Sequence, residues 1–186
     1  MAGSEEILRR IEESGEQYWI VGPETGRILN WLLRVWRPEV VLEIGTSVGY
    51  SAIWIASALR ANGKGKLWTV ESHKERHEKA RANIEEAGLS EFVVLMKGHA
   101  PEIFAEAVAV PAMVDFAFFD ATKMEHRSYF DAVYPRMRVG GLIVVDNVLS
   151  HREKEMLKFI EFMHKNSDLE VLELNVGSGL LLAKVH

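Results

Sequence analysis

From Pro38 onward the chain alternates short, mostly apolar runs with amphipathic stretches, and this limits its fold more than any other feature. Val40–Ile44, Leu67–Val70, Phe92–Met96, Val114–Phe119 and Leu142–Val145 read as buried strands. The intervening stretches read as helices: Tyr50–Leu59, His73–Ala87, about Pro101–Val108, about Glu125–Pro135 and Arg152–Lys165. Such alternation requires crossover connections, parallel strands and helices on both faces of one sheet. Two closing strands, near Leu169–Leu174 and Leu180–Lys184, flank a short loop with Gly177 and Gly179 that allows a hairpin. The expectation is an α/β, Rossmann-like, doubly wound and mostly parallel seven-stranded sheet, with an antiparallel last strand at its edge. Two earlier helices, residues 4–14 and Pro23 to about Val35, make residues 1–37 an N-terminal cap on the core of residues 38–186.

The 186 residues suffice for one domain, and 48% hydrophobic with 26% charged residues is a globular balance. A net charge of -5 argues against a surface built wholly for nucleic acid. No cysteine is present, which excludes disulfides, thiolate metal sites and a cysteine nucleophile. The charged N-terminus is unlike a signal peptide, and no window approaches a membrane span, so a cytoplasmic protein is expected.

Ligands of doubly wound sheets bind beyond the C-terminal strand ends. After the first strand comes Glu43-Ile44-Gly45-Thr46-Ser47-Val48-Gly49-Tyr50-Ser51. The G-x-x-x-G spacing differs from the dinucleotide G-x-G-x-x-G. Glu43 ahead of the turn would repel a diphosphate but suits a cationic ligand such as a sulfonium. Glu71 ends the second strand, where a carboxylate can accept hydrogen bonds from both hydroxyls of a ribose. Alone, each feature is equally an ordinary turn or a solvated helix-start carboxylate.

Taken in order, VGPETGRIL, VLEIGTSVGYSAIWIA, LWTVE, KGHA, FFDATK, RVGGLIVVDNVL and GSGLLLAK resemble class I S-adenosylmethionine-dependent O-methyltransferases. The likeness is to the cation-dependent catechol and caffeoyl-CoA O-methyltransferase group and its small prokaryotic members. The resemblance implies S-adenosyl-L-methionine as co-substrate. It places Glu43, Gly45, Ser47, Gly49 and Ser51 around the methionine part, with Val21 and Gly22 closing over it. It assigns Glu71 to the ribose, Ser72, His99 and Ala100 to the adenine border, and Asp120 to the cofactor site as well.

Asp120 follows the fourth strand, and Asp146 and Asn147 follow the fifth. Singly, these are a helix cap and a turn. Together they offer hard oxygen ligands to a divalent cation, Mg²⁺ first, with Mn²⁺ or Ca²⁺ as alternatives. Lys123 stands where the catechol enzymes have their proposed general base, so Lys123 and Asp120 are the expected catalytic pair; a solvent-exposed lysine is the plain alternative. The longer insert that builds the acceptor pocket in plant relatives is missing after Asn147, and Ser178 replaces the common Asp of D-G-L. A small phenolic acceptor is expected. A hydroxylated uridine in tRNA is the alternative, favoured if Arg127, Arg136, Arg138 and Arg152 give the pocket mouth a basic rim. Cofactor binding without turnover is a third reading. A homodimer is expected, with Met156, Leu157, Phe159, Ile160 and Met163 mostly core and any exposed remainder available to a partner copy.

Overall fold

The computed structural model describes residues 2–106, 111–152 and 154–186. Two helices come first, α1 (Ala2–Glu13) and α2 (Pro23–Trp36). Then β1 (Val40–Ile44), α3 (Tyr50–Asn62), β2 (Lys66–Glu71), α4 (Lys74–Glu86), β3 (Val93–Lys97) and α5 (Ile103–Glu106) alternate. The chain closes with β4 (Val114–Phe119), α6 (His126–Val133), β5 (Met137–Asp146), α7 (Lys154–Lys165), β6 (Leu169–Leu174) and β7 (Leu180–Val185). Two expected helices reach beyond what is described: Ala107 and Val108 of the fifth, and Glu153 at the start of the last, lie outside the described residues.

The seven strands form one sheet in the order β3-β2-β1-β4-β5-β7-β6. Pairing is parallel from β3 through β5, whereas β7 is antiparallel to both its neighbours. The antiparallel strand is therefore last in the chain but not at the edge. It lies between β5 and β6, and β6 forms the edge. The order reverses between β1 and β4, where a doubly wound sheet opens a crevice at its C-terminal strand ends.

Strand alternation divides the core in two. Val41, Leu67, Phe116, Phe118, Leu142 and Val144 face the helices α1 to α4. Leu42, Ile44, Val70, Phe119, Ile143 and Val145 face the opposite cluster, with Tyr129, Phe130 and Val133 of α6 and Met156, Phe159, Ile160 and Met163 of α7. Leu157 is the member of the α7 stripe left exposed. Among the described residues no helix is long and apolar enough to cross a membrane.

The ends of β1 and β4 are drawn together at Gly45. Asp120 donates its N–H to the Ile44 carbonyl at 2.9 Å, and Gly45 and Thr46 donate theirs to Val70 at 3.1 and 3.2 Å. Gly45 has φ +104, and a Cβ there would lie 2.2 Å from the Asp120 carbonyl oxygen. No side chain fits, and the backbone conformation belongs to glycine. Gly45→Ala is expected to destabilise the fold by on the order of 3 kcal/mol. Urea denaturation checks this, and a variant as stable as the parent would show that the contact yields freely.

Candidate active site

A cavity of about 590 Å³ lies over the C-terminal ends of β1, β2, β4 and β5. The first turn contributes Ile44, Gly45 and Ser47; the β2 end contributes Val70, Glu71 and Ser72. Gly98, His99 and Ala100 follow β3, and Asp120 to Lys123 follow β4. Asp146, Asn147 and His151 close one end, and Tyr18, Trp19 and Ile20 form a wall from the segment ahead of α2. Among the described residues, four non-glycine residues have positive φ, and three of them line this cavity: Trp19, Ser47 and Asn147. Backbone strain of this kind persists where surrounding structure enforces it, commonly at functional sites.

Glu71 is buried and both its oxygens are engaged. Ser47 donates its backbone N–H to Oε2 and His73 donates its own to Oε1, each at 2.8 Å. Arg76 approaches Oε1 at 3.8 Å, and its guanidinium lies 5.7 Å from the centre of the exposed Trp19 ring. Ser47 also donates its hydroxyl to the Tyr18 carbonyl at 2.6 Å, which ties the wall to the turn. The glycine turn is thus locked to β2 through a carboxylate that retains lone pairs for further donors.

Glu43 is fully buried beneath the turn. Thr69 donates its hydroxyl to Oε2, and Thr69 in turn meets the Thr46 hydroxyl, while Oε1 has no hydrogen-bond partner. Burial pushes its carboxyl up to about 7; the Ser51 and Thr69 hydroxyls oppose this, and the Asp120 and Glu71 charges add to it.

The other end is built from Asp120, Lys123, Asp146 and Asn147. Lys123 donates from Nζ to Asp120 Oδ1 at 2.8 Å. Burial raises the Asp120 carboxyl to about 7; Lys123 pulls it down and Asp146 pushes it further up. Burial also raises the Asp146 carboxyl, opposed first by a 2.6 Å hydrogen bond donated by the Ser178 hydroxyl. Asn147 stands at φ 67, with its side-chain oxygen buried and without a partner. Among the described residues, no group of three or more His, Cys, Asp and Glu side chains could hold a metal. The set here is two carboxylates and an amide oxygen. An orphaned buried acceptor beside two mutually repelling carboxylates fits a hard cation chemically.

The O-methyltransferase family model matches residues 5–185. The chain belongs to this family. It is 36% identical over 140 residues to the catechol O-methyltransferase of Niastella koreensis, covering 75% of this chain and 62% of that enzyme. It is 26% identical over 200 residues to the flavonoid 3',5'-methyltransferase of Vitis vinifera, covering 95% of this chain and 84% of that enzyme. The O-methyltransferase of Bacillus cereus, solved in complex with SAH, superimposes with a TM-score of 0.85 at 27% identity, over 100% of this chain and 91% of that one. TomG from Streptomyces achromogenes, an O-methyltransferase solved with SAM, gives 0.84 at 28% identity, over 100% and 90%.

Within this family member, Gly45, Ser47, Glu71, Ser72, His99, Ala100, Asp120, Lys123, Asp146 and Asn147 all line the one cavity. Val21, Gly22, Glu43, Gly49 and Ser51 do not. Val21 is core, Gly22 precedes α2, and Gly49 caps α3 where a Cβ would lie 3.3 Å from the Ala80 α-carbon of α4. His99 reaches the wall but is tied to Glu102 at 2.7 Å and Glu125 at 3.5 Å. Both carboxylates raise its pKa, the Glu102 hydrogen bond most.

No motif or periodicity points to Tyr18, Ile20, Arg76, Tyr129 or His151, which also line the wall. Arg76 sits in the first turn of α4, a few residues past the strand-end window. The wall segment stands just ahead of Val21. The four arginines of the expected basic rim are absent from the cavity wall. Arg127 pairs with Asp131, Arg138 with Asp115 and Arg152 with Glu173, while Arg136 binds the carbonyls of Pro111 and Phe104.

The buried carboxyls give stability a pH dependence of definite sign. Glu43 is raised from 4.5 to about 7, so the folded state holds its proton across that interval where the unfolded state has lost it. Stability of the ligand-free protein is greatest below that window and falls as pH rises through it. Asp120 and Asp146 act in the same direction. Glu43→Gln should remove its share, raising stability at pH 8 by about 3 kcal/mol and leaving it unchanged near pH 4. Thermal melts across pH check this; equal slopes for parent and variant would contradict it.

Proposed function

We propose that the chain is an S-adenosylmethionine-dependent O-methyltransferase that transfers a methyl group to a hydroxyl of a small phenolic or catechol-like acceptor, assisted by a divalent cation. The observation that carries the reading is one cavity with Glu71 and the Ser47 turn at one end and Asp120, Lys123, Asp146 and Asn147 at the other.

Bound S-adenosylmethionine supplies a methyl group activated on a sulfonium. Glu71 holds the ribose hydroxyls through the lone pairs that Ser47 and His73 leave free. The Tyr18–Ile20 wall and the Gly45 turn hold the methionine end and exclude water from it. A divalent cation held by Asp120, Asp146 and Asn147 would favour the ionised form of an acceptor hydroxyl, whose pKa is near 10 in a phenol. Lys123, once its ammonium has given up its own proton to solvent, takes the acceptor's proton at Nζ as a neutral amine. The protein's larger task is alignment of oxygen, carbon and sulfur, and orientation of this kind contributes about 7–11 kcal/mol in favourable systems. Engagement of the four arginines elsewhere supports a small acceptor over tRNA. A homodimer remains part of the proposal, with exposed Leu157 of α7 and Trp31 of α2 as apolar surface for a partner copy.

Methyl transfer to a panel of catechols and caffeate, run beside unmodified and hydroxyuridine-containing tRNA, tests the acceptor. Activity on a catechol should vanish with a chelator and return with Mg²⁺ or Mn²⁺. Lys123→Met should lower kcat by about 10²–10⁴-fold. Turnover that survives full chelation removes the cation, and turnover on tRNA alone replaces the acceptor. Separately, calorimetry should show S-adenosylhomocysteine binding weakened about 100-fold by Glu71→Ala, as for loss of charged hydrogen bonds. Unchanged affinity would take Glu71 out of the cofactor site.

A further inference from the structure

The hairpin between β6 and β7 reaches the end of β5. Its tip is pinned there by three backbone bonds: Val148 donates to the Gly179 carbonyl at 3.2 Å, and Leu149 and Ser150 both donate to the Ser178 carbonyl at 3.0 Å. Gly179, at φ +91, packs so closely that a Cβ would lie 2.4 Å from Leu149 Cγ. The tip therefore has one seat against the segment that follows Asp146 and Asn147.

That seat places the Ser178 hydroxyl 2.6 Å from Asp146 Oδ1. Asp146 is 1% exposed, and Ser178 is the described side chain that hydrogen-bonds it. A buried carboxylate at a strand end can turn about its last side-chain bond unless something holds one oxygen. Ser178 does so with a donor, which favours the ionised carboxylate and directs its remaining lone pairs. Asn147 beside it has a buried oxygen without a partner. Asp120 is held differently, by the Lys123 ammonium.

We propose that Ser178 is a positioning residue for divalent-cation binding, fixing the Asp146 carboxylate in the orientation that lets it act together with Asn147 and Asp120. The proposal rests on the cation-assisted reading above. Groups that orient a metal ligand from behind commonly change metal affinity 10- to 100-fold when removed.

The experiment is a Mn²⁺ titration of the purified, full-length protein, with and without S-adenosylhomocysteine, followed by the electron paramagnetic resonance signal of free Mn²⁺. It needs no turnover. The parent protein should bind Mn²⁺, Asp146→Asn should lose it, Ser178→Ala should bind it at least 10-fold more weakly, and Ser178→Thr should stay within about 3-fold of the parent. Ser178→Ala should melt only about 2–4 °C lower, the effect of one lost hydrogen bond, and should keep its S-adenosylhomocysteine affinity, which a general disturbance of the cleft would lower. Parent-like Mn²⁺ binding in Ser178→Ala overturns the positioning role while leaving the cation reading intact. Loss of Mn²⁺ affinity together with loss of S-adenosylhomocysteine affinity also overturns it. A parent protein that binds S-adenosylhomocysteine but no Mn²⁺ removes the cation itself, and the role of Ser178 with it.

Discussion

The cavity depends on the closeness of Gly45 to the Asp120 carbonyl. At that point the turn after β1 and the end of β4 touch through backbone alone. A side chain at position 45 would separate them. The separation would reach the whole site, because Ser47 and Glu71 are referred to the same turn and Asp120 presents Lys123's partner oxygen from the other side. The glycine is needed first for packing between two chain segments. That is a firmer requirement than approach to a ligand, since it must be met before any ligand arrives.

Around this contact the protein buries more negative charge than it neutralises. Glu43, Asp120 and Asp146 are all pushed above the usual carboxylate range by burial. Hydroxyls of Thr69 and Ser178 and the Lys123 ammonium offset part of the cost. Stability is lost to this arrangement near neutral pH and above. Asp120 and Asp146 line the cleft and Glu43 lies buried beneath its turn, and perturbed groups gathered in this way are characteristic of functional sites.

Much of this was legible in the sequence because two rules are local. Short apolar runs locate the strands and period-3.6 patterns the helices, most of them to within a few residues, and the strand-end rule then selects Ser47, Glu71, Asp120, Asp146 and Asn147 for one cleft. What escaped came from non-local packing. The place of β7 between β5 and β6 depends on how a hairpin docks across an existing edge, which its own residues do not encode. Arg76 and the Tyr18–Ile20 wall reach the cavity through a helix turn and an irregular segment, where no periodicity reports direction. The four arginines looked available in sequence, but their partners are mostly distant: Arg152 meets Glu173 and Arg138 meets Asp115 only in the fold. Glu43 sits in the motif yet lies buried beneath the turn, because a motif gives spacing along the chain and not the direction of each side chain.

The two ends of the cavity are held by different physics, and this gives them different readiness. At the Glu71 end a buried carboxylate is met by two backbone N–H groups, donors that neither titrate nor move with a side-chain rotamer. That end is organised without any ligand. At the Asp120 end two carboxylates raise each other's energy, each restrained by one side chain, with an amide oxygen left bare beside them. That end is complete as a scaffold and incomplete as a charge distribution. Positive charge brought there lowers its energy, whereas positive charge at the Glu71 end meets a carboxylate already satisfied in part. A molecule built this way favours filling the Glu71 end by shape and hydrogen bonding, and the Asp120 end by electrostatics.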